Sequence, residues 1–195
     1  MLWAIFIIGG FFLGSVLFCY ILPKKLCDID IYEVGDDHNP GGANAFKACG
    51  KKIGLICIAL DILKGALPVL LACRLLDVNH YLFSLVVIAP VLGHALGVFN
   101  RFRGGKCIST TFGVLLGLIP HNYIVFLLAG LYLLSLPLFK TLSDKTRSIA
   151  VFFVFGISSA TILILSDCLS LAIACLTISA IAIAKHYIVP SKNSK

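Results

Sequence analysis

Long apolar runs, separated by short stretches that hold nearly all the charge, constrain this 195-residue chain more than any other feature. A bilayer core of about 30 Å takes about 20 helical residues. The chain offers runs of that kind at 1–22, 53–76, 81–99, 149–166 and 169–189. The stretch 107–138 is too long for one crossing and is interrupted by Pro120-His121-Asn122, so it divides into short tilted helices at 107–119 and 121–138. Composition agrees: 59% of residues are apolar and 13% charged, and mean hydropathy is +1.03, against about 25% charged for soluble domains. A soluble enzyme, a disordered chain and a secreted disulfide scaffold are excluded. The expected fold is all-α, a polytopic integral membrane protein of seven transmembrane helices forming one domain over 1–195.

The basic residues set the expected orientation. Of sixteen Lys and Arg, all but Lys64 and Arg74 fall on one side if the N-terminus lies outside and the C-terminus in the cytoplasm, as the positive-inside rule requires. A single crossing over 107–138 would put Lys140, Lys145 and Arg147 outside. The first run has no basic residues ahead of it and reads as a retained helix rather than a cleaved leader. The net charge of +7 points to anionic lipid headgroups, with no role for nucleic acid. The location expected is a bacterial-type inner cell membrane. The eight cysteines form no CxxC pair, and all are expected to be reduced thiols.

Three polar clusters interrupt the apolar pattern. The segment 23–52 holds five of the nine acidic residues, and a polar loop of that length in so apolar a chain reads as functional. Its centre, Gly35-Asp36-Asp37-His38-Asn39-Pro40-Gly41-Gly42-Ala43-Asn44, is followed by Lys47, Lys51 and Lys52. The second cluster pairs Asp61 with Lys64 on one helix face ahead of Gly65 and Pro68. Charges at membrane depth should face protein or a polar cavity, and Pro68 should break or kink the helix. The third comprises Gly93-His94, then Asn100 through Lys106 with Arg103-Gly104-Gly105-Lys106, then Ser109-Thr110-Thr111. Glycines between cations, followed by hydroxyls, suit a phosphate ligand. A Walker A loop fails at Asn100 and Cys107, a His-x4-Asp pair is absent, and there is no Gly-x-Ser-x-Gly elbow.

Taken together, the clusters resemble the acyl-phosphate-dependent glycerol-3-phosphate acyltransferase family of bacterial membranes. Asn39, Gly41, Asn44 and Gly50 match its first motif, with Lys47 in place of arginine. Lys64, Gly65, Pro68 and Val69 match the second. Gly93, His94, Phe99, Phe102, Gly104, Gly105, Lys106 and Thr110 match the third, with Arg103 for lysine, Gly97 for proline and Cys107 for the last glycine. His186 stands where the C-terminal motif has histidine, but Tyr187-Ile188-Val189 does not continue it.

The resemblance implies acyl transfer from acyl phosphate to the 1-hydroxyl of glycerol 3-phosphate, giving lysophosphatidic acid and phosphate at the cytoplasmic membrane edge. It implies phosphate contacts from Gly41, Lys47, Lys64, Gly65, Arg103, Gly104, Gly105, Lys106, Thr110 and His186. Asn39 and Asn44 would orient the acceptor, and His94 would hydrogen-bond or transfer a proton. No cofactor is required, and the chain is expected to act as a monomer. Asp36 and Asp37 depart from the family's Ser-Gly. They are read as ion pairs with Lys47, Lys51 and Lys52, with Asp36 as a general base or a bound Mg²⁺ as the alternatives. The competing readings of the whole chain are a paralogue using another phosphorylated acceptor, and a transporter with Asp61 and Lys64 as intramembrane sites.

Overall fold

The computed structural model describes residues 1–34 and 37–188. Eight α-helices follow one another: α1 (Leu2–Ser15), α2 (Phe18–Cys27), α3 (Gly42–Leu75), α4 (Phe83–Leu96), α5 (Ile108–Leu116), α6 (Val125–Leu138), α7 (Asp144–Leu165) and α8 (Leu169–Ile188). Short 3₁₀ turns at Ile31–Glu33 and Val98–Asn100 complete the regular structure of the described residues. Helices satisfy their own backbone groups, which lipid cannot do.

Among the described residues, five spans are long and apolar enough to cross a membrane: Leu2–Cys27, Gly42–Leu75, Phe83–Asn100, Asp144–Leu165 and Leu169–Ile188. Helices α5 and α6 have 9 and 14 residues, about 13 and 21 Å at 1.5 Å per residue. Large apolar side chains point outward all along these helices, among them Ile5, Ile8, Leu63, Phe153 and Leu165. The bundle is therefore polytopic, all-helical and sheathed in lipid-compatible surface.

Interior packing is tight and built on small residues. Helix α1 lies on α4, where a Cβ on Gly14 would run into the Pro90 carbonyl and one on Gly93 into the Phe11 carbonyl. Helix α3 meets α5 in the same way: Gly65 abuts the Thr110 carbonyl and Gly113 the Ile62 carbonyl. Such contacts let backbones approach where no hydrophobic force drives helices together. Phe83, Leu115, Leu118, Leu128, Phe152 and Phe155 fill the space between.

Four expectations are corrected. The first apolar run is two helices, broken at Val16, which is extended at φ −72°, ψ 114°. The break frees the Val16 carbonyl to accept a hydrogen bond from Lys64 Nζ. Helix α3 begins at Gly42 rather than 53, because Gly50 takes φ 78° and lets two helical segments meet at a corner; the polar residues before it read as loop. Pro68 neither breaks nor kinks α3, in which only Gly50 leaves helical φ/ψ.

The fourth concerns the thiols. Cys27 and Cys49 form a disulfide, with Cα atoms 6.2 Å apart, and the other six cysteines are free. The pair escapes a sequence reading because 22 residues separate its members, and only the turn between α2 and α3 brings them together.

Candidate active site

A cavity of about 460 Å³ opens where the polar clusters converge. Its wall includes Asp37, Asn39 and Gly41 from the loop ahead of α3, Gly42, Ala43, Asn44 and Lys47 from the first turns of α3, and His94 from α4. Lys106, Ile108 and Ser109 come from the start of α5, Ser143, Asp144, Lys145 and Ser148 from the start of α7, and His186 from α8. Segments more than 140 residues apart in sequence thus share one site.

Three helix N-termini open onto this space. Those of α3 and α5 carry no side-chain cap hydrogen bond, whereas Ser143 accepts from the Thr146 N–H at the start of α7. Uncapped N–H groups and the positive ends of helix dipoles favour an anion. The side chains add to this. Lys106 pairs with Asp37 at 2.6 Å and Asp144 with Arg147, while Asp61 pairs with Lys64 at 2.8 Å. Among the described residues, Lys47 and Lys145 make no ion pair. The local balance is positive.

Asp37 organises the loop. Its Oδ1 accepts from Asn44 Nδ2 at 2.7 Å and its Oδ2 from Lys106 Nζ. Asn44 Nδ2 also donates to the Asn39 carbonyl at 2.9 Å. Burial works to raise the Asp37 carboxyl, but the hydrogen bonds from Lys106 and Asn44 outweigh it and hold the group below the usual carboxylate value. The cation that pairs with Asp37 is therefore Lys106, not Lys47, Lys51 or Lys52, because the fold brings the start of α5 against this loop. Asp36 lies outside the described residues, so its proposed base role has no geometry here. Asn39 Oδ1, by contrast, is buried against the cavity without a hydrogen-bond partner, an arrangement that costs free energy unless a donor arrives.

The expected phosphate loop divides in two. Lys106 reaches the cavity; Arg103, Gly104 and Gly105 do not line it. The Arg103 guanidinium lies 5.8 Å over the Tyr32 ring. Gly104 packs on the carbonyls of His94 and Ala95, and Gly105 leaves room for the His94 ring while its N–H donates to the His94 carbonyl at 3.1 Å. The glycines thus press the loop onto the end of α4. Gly97 closes that helix at φ 58°, a conformation barred to a proline. Gly65 and Thr110 belong to the α3–α5 contact.

Lys64 is also behind the wall. Three acceptors surround its Nζ: the Val16 carbonyl, His94 Nδ1 at 2.8 Å and Asp61 Oδ1 at 2.8 Å. The last contact is ionic rather than an aligned hydrogen bond, since Asp61 Oδ1 makes none. Cys19 Sγ donates to Asp61 Oδ2 at 3.0 Å. Two of the three ammonium donors thus go to Val16 and His94, and the charge is met by Asp61.

Sequence reasoning overlooked four contributors. Ser143, Lys145 and Ser148 read as a positive-inside loop and a helix start; the Ser-Asp-Lys-Thr capping pattern was the available signal. Tyr32 had none. Its hydroxyl accepts from Asn100 Nδ2 and donates to the Arg103 carbonyl, tying the first polar cluster to the third. Burial pushes its phenol up to about 12.

The sequence matches the glycerol-3-phosphate acyltransferase family over residues 4–189. A glycerol-3-phosphate acyltransferase of Thermotoga petrophila is 40% identical over 142 residues, 73% of this chain and 71% of that protein. That of Bacillus cytotoxicus is 36% identical over 167 residues, 84% and 81% of the two chains. Two crystal structures of PlsY, an integral membrane glycerol 3-phosphate acyltransferase, superpose with TM-scores of 0.79 and 0.76 at 28% and 26% identity. Each covers 93% of this chain and 86% of its own; one is the glycerol 3-phosphate form and the other the lysophosphatidic acid form.

Proposed function

The chain belongs to the glycerol-3-phosphate acyltransferase family, and from that premise we propose that it acylates glycerol 3-phosphate within the membrane, using acyl phosphate as donor and releasing lysophosphatidic acid and phosphate. The observation that carries this reading is the convergence of Lys47, Lys106 and Lys145 with the N-termini of α3, α5 and α7 on one cavity. That set of groups suits the phosphates of both substrates. The donor is a mixed anhydride with a good leaving group, so alignment and charge neutralisation supply much of the rate.

In this account Asn39 Oδ1 accepts from an acceptor hydroxyl, and Asp37 holds Asn44 and Lys106 in place. Both Asp37 oxygens already face Asn44 and Lys106, which favours the ion-pair reading over a bound Mg²⁺. Asp61 and Lys64 neutralise one another beside the cavity, which favours a positioning role over a transport site. The charge asymmetry supports seven crossings with the N-terminus outside and the cavity facing the cytoplasm.

The test is product analysis by mass spectrometry on purified protein in lipid vesicles. Acyl phosphate with glycerol 3-phosphate should yield 1-acyl lysophosphatidic acid and one phosphate per turnover. Product from an acyl thioester alone would overturn the donor assignment. Product only with another phosphorylated acceptor would overturn the acceptor.

A further inference from the structure

Cys27 ends α2, and Cys49 immediately precedes the Gly50 corner of α3. The disulfide between them closes a loop over the segment that builds one wall of the cavity. Asp37, Asn39, Asn44 and Lys47 all lie between the two cysteines and line that wall. What else holds the segment is small. Cys19, Ile31, Ala45 and Cys57 form an apolar cluster of their own, apart from the main core. Hydrogen bonds from Asn44 and Lys106 to Asp37, and from Tyr32 to the Arg103 carbonyl, add polar ties. A cross-link removes the loosened arrangements that so few contacts would otherwise allow.

The surroundings of the bridge suit exchange rather than permanence. Both cysteines are half-buried. Lys24, Lys25, Lys47, Lys51 and Lys52 stand within three residues of them, against Asp28 and Asp30. None of these charged groups makes an ion pair among the described residues. Cations beside a partly exposed sulfur favour the thiolate, the form that exchanges. Of the free cysteines, all but Cys168 are buried, which keeps exchange at this pair. The same lysines belong to the face that the positive-inside rule assigns to the cytoplasm. There dithiol systems keep thiols reduced, and a disulfide is transient or redox-sensing.

We infer that the Cys27–Cys49 pair is a thiol–disulfide switch whose closed form tightens binding of the phosphorylated acceptor, through the loop that carries Asp37, Asn39, Asn44 and Lys47. The inference rests on the function and orientation proposed above. Opening is exchange with a dithiol reductant. One reductant thiolate attacks one sulfur of the pair, and the other sulfur leaves as thiolate. The reductant's second thiol then attacks the mixed disulfide. Two electrons end on Cys27 and Cys49 together with the two protons that the dithiol gives up, and the reductant leaves as a disulfide. Neither cysteine lines the cavity, so the switch acts by positioning the residues that do. Linkage makes the coupling reciprocal: a bridge that strengthens acceptor binding is itself strengthened by the bound acceptor, by the same factor.

The experiment uses the full chain in lipid nanodiscs, poised with mixtures of oxidised and reduced dithiothreitol. Titration calorimetry with glycerol 3-phosphate should show weaker binding to the opened form than to the closed one, by at least about fivefold, the lower end of coupling between sites. Reoxidation should restore the affinity. Alkylation followed by peptide mass spectrometry, across the dithiothreitol mixtures, reads the fraction bridged. Saturating glycerol 3-phosphate should move that balance toward the disulfide by the same factor that separates the two dissociation constants. The double variant Cys27→Ser/Cys49→Ser should bind as the opened form does and ignore the reductant; should it fail to fold, the two states of the parent decide. Equal affinity in the two states, a balance unmoved by glycerol 3-phosphate, or a bridge that forms in no mixture would overturn the inference. So would reductant sensitivity that persists in the double variant, since another thiol would then be the switch. Closed and opened forms that both fail to bind glycerol 3-phosphate would instead overturn the proposed function.

Discussion

Asp37 is the residue on which the loop turns, because it gathers a lysine from one motif and an asparagine from another. Lys106→Met removes its cation and a charge-assisted contact worth about 1.5–3 kcal/mol. Activity should fall about ten- to a hundredfold, read as kcat/KM. The pH dependence has a definite sign. A carboxyl held below its ordinary value of about 3.9 contributes stability that is complete above that value and is lost as pH falls through the depressed one. Thermal unfolding of the parent should therefore show no Asp37 contribution to pH dependence near neutrality, only in acid. In Lys106→Met that acid loss should shrink or vanish, since the cation that holds the carboxyl low is gone while burial still raises it. Tyr32→Phe makes a separate test. It deletes the hydroxyl joining Asn100 and the Arg103 carbonyl and should cost about 1 kcal/mol of stability, seen in melting, with KM raised more than kcat is lowered. The motif spacing marks Asn39, Asn44, His94 and Lys106, all of which reach the cavity. It could not separate ligand-facing glycines from those that serve packing, because a glycine leaves the same mark in a sequence either way.

Among the elements, helix existence was legible from hydrophobic runs and helix breaks were not. The corner at Gly50 and the break at Val16 answer to tertiary partners, the second to the Lys64 ammonium 48 residues away. The α3–α5 crossing depends on absent side chains, which leave no apolar pattern. Gly113→Val would drive a Cβ into the Ile62 carbonyl and should destabilise the protein by about 1–3 kcal/mol through overpacking. Gly130→Ala, where nothing lies within 4 Å, should leave the melting temperature nearly unchanged. A similar loss in both would refute the packing argument. The Cys27–Cys49 bridge also belongs to this scale. Alkylation of the unreduced protein followed by peptide mass spectrometry should find those two linked and six thiols modified. Eight modified thiols would remove the bridge.

For the whole molecule, the composition and charge distribution declare a polytopic helical membrane protein, and the structure and its relatives agree. What the sequence concealed is the meeting of three helix starts, since the first turns of α3, α5 and α7 come to line one cavity only through the packing of the intervening helices. That meeting is the basis of the account, and equilibrium binding of glycerol 3-phosphate tests it most directly. Titration calorimetry on the parent and on Lys47→Met, Lys145→Met and the double variant should show saturable binding displaced by inorganic phosphate. Each single change should weaken it about ten- to a hundredfold, as loss of a charged hydrogen bond predicts, and the double more than either. Binding of parent strength in all three variants would contradict the account, because the phosphate would then lie outside this cavity.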